Sequence, residues 1–173
     1  VLHGMAAEGR PFRGFLYCGL MITAEGPKVI EFNVRFGDPE AQVVLPFVAA
    51  PLAPLLLAAA TGTLRETSHA FSSDVRVGVV LAARGYPGPV ETGQVITGLD
   101  RVASECPDVT VFHAGVRRVG GALTTAGGRV LTVVGRGAGY EDAIARAYDA
   151  VGRIHFDGMQ HRTDIGRKAL DAG

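Results

Sequence analysis

The sequence predicts an α+β chain in two units, residues 1–72 and 73–173, the second a mostly antiparallel sheet that carries a packed helix. Three observations predict it. From Val29 to Phe36 side chains alternate strictly, with Val29, Glu31, Asn33 and Arg35 on one side and Ile30, Phe32, Val34 and Phe36 on the other, the period of a strand with one buried face. Four apolar runs, Val75 to Ala83, Val109 to His113, Val116 to Val119 and Val130 to Val134, are short enough for strands and are separated by glycine-rich turns. Ala143, Ile144, Ala147, Val151 and Ile154 then form the stripe of an amphipathic helix that opens with Glu141 and Asp142 and ends near His155.

In chain order, Leu2, Met5 and Ala6 sit at helical spacing, and Gly9 is a suitable C-cap. Phe15 to Thr23 is apolar and reads as a buried strand; the next strand starts at Lys28, so a hairpin with a loop of about four residues is expected. After the alternating strand, Gly37-Asp38-Pro39-Glu40 reads as a turn and helix start, with Asp38 as N-cap and Pro39 at the first helical position. Val43 to Ala60 carries no charge, yet Pro46, Pro51 and Pro54 would leave carbonyls unpaired in lipid. A pair of short helices is expected instead, the second from Leu52 to Ala60 with Gly62 as its stop. Residues 61–73 are polar and turn-like and mark the junction of the two units. In the second unit, Arg84-Gly85-Tyr86-Pro87-Gly88-Pro89 is a long loop on a set backbone path, open both to a surface role and to functional contact. Gly135-Arg136-Gly137-Ala138-Gly139 is expected as a tight strand-to-helix turn. It fails the dinucleotide fingerprint, because Tyr140 stands at the third glycine position. In the tail, Arg162-Thr163-Asp164 could reach a phosphate or simply dock the C-terminus.

The chemistry lies on the alternating strand. Glu31 offers an anionic oxygen, Asn33 a neutral carbonyl oxygen and Arg35 a fixed cation, each about 6.5–7 Å from the next along a strand. Such oxygens suit a hard cation, and a guanidinium suits a phosphate or a developing oxyanion. A solvated strand face of ordinary polar residues is the other reading, although Asn and Glu are both depleted in strands.

The run IEFNVRFGDPEAQVVLP, with FLYCGLMIT before it and GYPGPVETGQVITGL, VFHAGV and IHFDGMQHRTDIG after it, closely resembles the phosphoribosylamine–glycine ligase (glycinamide ribonucleotide synthetase) family, within the ATP-grasp superfamily. The resemblance spans nearly the whole chain, four separated motifs in the same order. It implies that residues 1–72 are the C-terminal remnant of an ATP-grasp domain, that residues 73–173 are the family's C-terminal α+β domain, and that the N-terminal part is missing. It further implies ligation of glycine to 5-phosphoribosylamine with ATP, through glycyl phosphate, in cytoplasmic purine biosynthesis. Glu31 and Asn33 would be the protein ligands of the Mg2+ or Mn2+ that carries ATP, and Arg35 would lie at the nucleotide beside the reacting phosphoryl group as the catalytic cation. Residues 43–60 are less polar than is usual in the family, which implies tighter packing against another part of the enzyme. Another ATP-grasp carboxylate–amine ligase or carboxylase, or a non-catalytic binding fragment, would share the metal-bearing strand.

Composition excludes other classes. Seventeen basic residues balance 17 acidic ones, and no basic tract or aromatic platform appears, so neither nucleic acid nor an anionic membrane is an expected partner. Cys18 and Cys106 make no disulfide framework, and the histidines at 3, 69, 113, 155 and 161 show no zinc spacing. Lys28 near a hairpin tip resembles the position of a carrier lysine, but Pro27-Lys28-Val29 matches neither Met-Lys-Met nor Asp-Lys-Ala.

Overall fold

A computed structural model describes residues 1–65 and 71–171. Residues 66–70 of the proposed junction, with His69, lie outside the described residues. The chain divides into two compact units, 1–72 and 73–173, and every sheet in it is antiparallel.

The first unit opens with α1 (Leu2–Ala7), whose C-cap is Glu8; Gly9, at φ 73°, takes the left-handed position just beyond it. A hairpin follows, β1 (Tyr17–Thr23) and β2 (Gly26–Asn33). Only Ala24 and Glu25 connect the strands, a tighter turn than the four-residue loop expected, because Gly26 at φ 100° lets pairing resume at once. Lys28 therefore lies inside β2, 3.0 Å from Glu25, and not at a tip. The second strand also ends earlier than its alternation predicts: Val34 and Arg35 form a bend, so the polar row stops at Asn33. Nor is either strand buried. Ile22 is 76% exposed, Ile30 62% and Val29 58%, since no element of this unit covers the hairpin.

Two short helices follow as expected, α2 (Glu40–Val44), which runs into a 3-10 turn at Leu45–Phe47, and α3 (Leu52–Thr61), stopped by Gly62 at φ 71°. The start of α2 differs from the expectation. Pro39 and not Asp38 is its N-cap, and the Asp38 carboxylate accepts a hydrogen bond from Gln42 Nε2 at 3.1 Å.

The second unit contains all the buried apolar side chains of the described residues. Its sheet has the order β3-β7-β4, from β3 (Val75–Ala82), β7 (Arg129–Gly137) and β4 (Val109–His113). The central strand β7 is covered on both faces, which is why Val130 to Val134 is an unbroken buried run. Helix α5 (Tyr140–Val151) packs on β7 and β3, and Val79, Leu81, Leu131, Val133, Ala147 and Phe156 are at the heart of the core.

Gly135 and Gly137 are part of β7, not of a strand-to-helix turn. A Cβ on Gly135 would collide with Ala143 O and come within 2.6 Å of Ala147 N, and one on Gly137 would come within 2.6 Å of Ala143 N. These glycines let helix and strand backbones touch, and only Ala138 and Gly139 make the turn. Elements additional to those predicted are α4 (Leu99–Glu105), the short C-terminal helix 167–171 and β6 (Ala122–Thr125), the last pairing with β5 (Val116–Val119). Loop 84–89 is tied down by Gln160, whose Nε2 donates to Ala83 O at 3.0 Å and to Tyr86 O at 2.9 Å, and by Arg129 Nη1 donating to Tyr86 Oη at 3.2 Å. Arg162 is committed to its own turn, bound through two nitrogens to Asp164, before α6 (Arg167–Asp171) closes the described chain.

Candidate functional site

Glu31 and Asn33 lie two residues apart in β2, on one face of the hairpin, with no irregularity of pairing between them. Across the ladder, Glu31 is paired with Gly19 and Asn33 with Tyr17; the register slips only beyond Gly19, between Gly19 and Leu20. Gly19 has a direct bearing on the site. A Cβ there would stand 3.1 Å from Glu31 Cγ and 3.4 Å from the Tyr17 ring, so glycine leaves the Glu31 carboxylate room to lie across the neighbouring strand.

Arg35 is not the third member of that row. It lies in the bend after the strand, exposed, and its Nη1 donates to Phe36 O at 3.0 Å. It lines a pocket of about 220 Å3 together with Phe15, Leu16, Tyr17, Cys18, Phe36 and Glu40. Phe15 and Phe36 build an apolar wall, with ring centroids 4.2 Å apart. Glu40 Oε2 accepts the Gly37 N–H at 3.0 Å, which ties the bend to the first turn of α2. Tyr17 links the two places, since it is the cross-strand neighbour of Asn33 and also lines the pocket.

Of the three expected residues, Glu31 and Asn33 therefore share a face, and Arg35 belongs to the adjoining pocket. Tyr17, Gly19 and Glu40 join the site without having been expected there. Only Gly19 left a trace in the sequence, as a glycine interrupting an apolar strand.

The donor set fits a hard divalent ion. Glu31 and Asn33 supply one charged and one neutral oxygen, and among the described residues no group of three His, Cys, Asp or Glu side chains is placed to hold a metal ion. Two protein oxygens are the sparse complement of an ion that keeps phosphate and water oxygens in its shell, as Mg2+ does. Among the described residues no helix is long and apolar enough to cross a membrane.

Comparisons with known proteins agree with one another. The model of the phosphoribosylglycinamide synthetase C domain matches residues 76–168, and that of the ATP-grasp (A) domain of the same synthetase matches residues 1–41. Among curated relatives, a phosphoribosylamine–glycine ligase of Leifsonia xyli is 55% identical over 95% of this chain and 40% of its own length. One from Streptomyces coelicolor is 54% identical over 97% of this chain and 41% of its own length. The crystal structure of the Thermotoga maritima phosphoribosylamine–glycine ligase superposes with a TM-score of 0.79 at 38% identity, covering 94% of this chain and 39% of that one. The chain thus spans about 40% of the length of the curated relatives it matches.

Proposed function

Because this chain belongs to the phosphoribosylglycinamide synthetase family, we propose that it is the C-terminal portion of a phosphoribosylamine–glycine ligase, an ATP-dependent carbon–nitrogen ligase of purine biosynthesis working in the cytoplasm. Residues 1–72 are read as the end of its ATP-grasp domain and residues 73–173 as its C-terminal domain. ATP, glycine and 5-phosphoribosylamine are the proposed substrates, and the rest of the same enzyme is the partner that completes the nucleotide site. The observation that carries the reading is the placing of Glu31 and Asn33 on one face of β2, next to a pocket that Arg35 lines, within a chain that a ligase of this kind matches over 95% of its length.

In the proposed reaction a carboxylate oxygen of glycine attacks the γ-phosphorus of ATP, releasing ADP and leaving glycyl phosphate. The amine of phosphoribosylamine then attacks the carbonyl carbon; the carbon–nitrogen bond forms, the carbon–oxygen bond to phosphate breaks, and the amine loses a proton. Glu31 and Asn33 would hold Mg2+ or Mn2+, which when bound supplies neutralisation of the phosphate charge. Arg35 stabilises negative charge where it grows, first on the transferring phosphoryl group and then on the acyl oxygen. Its place supports this role, since it lines the pocket next to the strand that carries Glu31 and Asn33. Gly19 keeps the Glu31 carboxylate free of a clash across the ladder.

The test is ADP release by the chain extended to the length of its relatives, with glycine and phosphoribosylamine supplied together and each omitted in turn. Release that requires both is the expected result. Release indifferent to glycine would overturn the substrate assignment.

A further inference from the structure

The pocket beside Arg35 holds two opposite charges that do not neutralise each other. Arg35 and Glu40 both line it, yet Arg35 donates to Phe36 O and Glu40 accepts from the Gly37 N–H, and among the described residues no ion pair joins them. An arginine and a glutamate that line one space of about 220 Å3 without pairing to each other suit a small ligand that carries both charges. The Phe15 and Phe36 rings, 4.2 Å apart, give the pocket an apolar wall, and Arg35 and Glu40 are the charged side chains that line it.

We propose that Glu40 receives the ammonium group of the amino-acid substrate while Arg35 faces its carboxylate. The inference rests on the ligase reading above, in which that substrate is glycine. It gives Glu40 a chemical purpose beyond anchorage. Glu40 spends Oε2 on the Gly37 N–H and has acceptor capacity to spare, since a carboxylate offers several lone-pair sites. An ammonium held against a carboxylate keeps its third proton and has no free electron pair. Glycine's own nitrogen is thereby kept from attacking an acyl phosphate, and the neutral amine of the second substrate is the nucleophile that remains. The arrangement would also distinguish an amino acid from a carboxylic acid of the same size, because a bound acid without an amine leaves the Glu40 charge unpaired.

The test is Glu40→Gln in the enzyme at the length of its relatives, a change that keeps an acceptor for the Gly37 N–H while removing the charge. KM for glycine should rise about 10- to 100-fold, the loss expected for a hydrogen bond to a charged group, with KM for ATP unchanged. Propionate, a carboxylate without an amine, should inhibit the variant more strongly than the wild type, because no unpaired charge is left beside it once Glu40 is Gln. Glycine should raise the melting temperature of the wild type and fail to raise that of the variant, a readout that does not depend on turnover. An unchanged glycine KM, or equal rises in KM for all substrates, overturns the role of Glu40 alone. Wild-type ADP release that ignores glycine overturns the ligase reading, and this inference with it.

Discussion

Glu31 and Asn33 show what two residues of spacing can specify. Any strand sends side chains i and i+2 to the same face, so their juxtaposition follows from local geometry and survives wherever the strand is placed. Glu31 is exposed, and its removal should leave the fold intact: Glu31→Ala is expected to change stability by no more than about 0.5 kcal/mol. Turnover of the extended enzyme should nevertheless fall by about 100-fold or more, the scale seen when a group that stabilises transition-state charge is lost. Steady-state kinetics beside a denaturation curve would decide it, and near-normal turnover would remove Glu31 from the site. Arg35 was harder to place from the sequence. Alternation continues through Phe36, but alternation reports only that a residue type suits a strand, and pairing ends at Asn33 because Tyr17 is the last residue opposite. Glu40 had no signature at all, since a carboxylate in a first helical turn satisfies local rules whether or not it faces a pocket. The cysteines differ in the same way: Cys18 is exposed, whereas Cys106 is buried, and burial above all pushes its thiol up, with Arg153 opposing and Asp149 reinforcing the shift.

At the scale of elements, β7 and α5 were legible and the glycines between them were not. The run Val130 to Val134 and the stripe of α5 are strong periodic signals, and both elements formed where the pattern put them. Gly135 and Gly137 look like a loop in one dimension because glycine is common in turns. Their use here is close approach, which is a property of two segments at once. Gly135→Ala is accordingly predicted to destabilise the second unit by about 1–3 kcal/mol, since the new methyl group meets helix backbone that cannot rotate away. Urea denaturation of residues 73–173 would measure it, and a loss below about 0.5 kcal/mol, typical of surface changes, would contradict the packing argument. Helix α4 went unpredicted because its seven residues follow Gly98, an N-cap with no side chain, so neither length nor capping announced it. Strand β6 is four residues long, and the Gly120-Gly121 pair that joins it to β5 was its only signal.

For the molecule as a whole, the second unit holds the core and a surface network of charges. Arg136 Nη2 lies 2.6 Å from Asp108 Oδ1, and Arg146 Nη1 lies 3.0 Å from Asp108 Oδ2. The hydrogen bond from Arg136 holds the Asp108 carboxyl below its ordinary range, with Arg146 adding to the effect. A carboxylate whose folded value is depressed contributes stability above its unfolded value and loses it as pH falls through the folded one. Wild-type residues 73–173 should therefore melt higher than Asp108→Asn near neutral pH, and the gap should close as the pH is taken below about 4. Added salt should narrow it too, because the network is partly exposed. Melting temperatures that differ equally at pH 7 and pH 3 would show that the ion pairs are not the cause. The first unit presents the opposite case, an apolar hairpin that no element of its own unit covers. By itself the sequence determined the α+β class, the strand that carries Glu31 and Asn33, the paired short helices after it and the α5 stripe, because each is written in periodicity, in proline and glycine placement or in a repeated apolar run. Tertiary structure alone decided that Arg35 turns out of the polar row into a pocket with Glu40, that Gly19 makes room for Glu31, and that Gly135 and Gly137 belong to a strand. Each of these depends on what a distant or differently oriented backbone brings within a few ångströms, and spacing along one chain does not encode that distance.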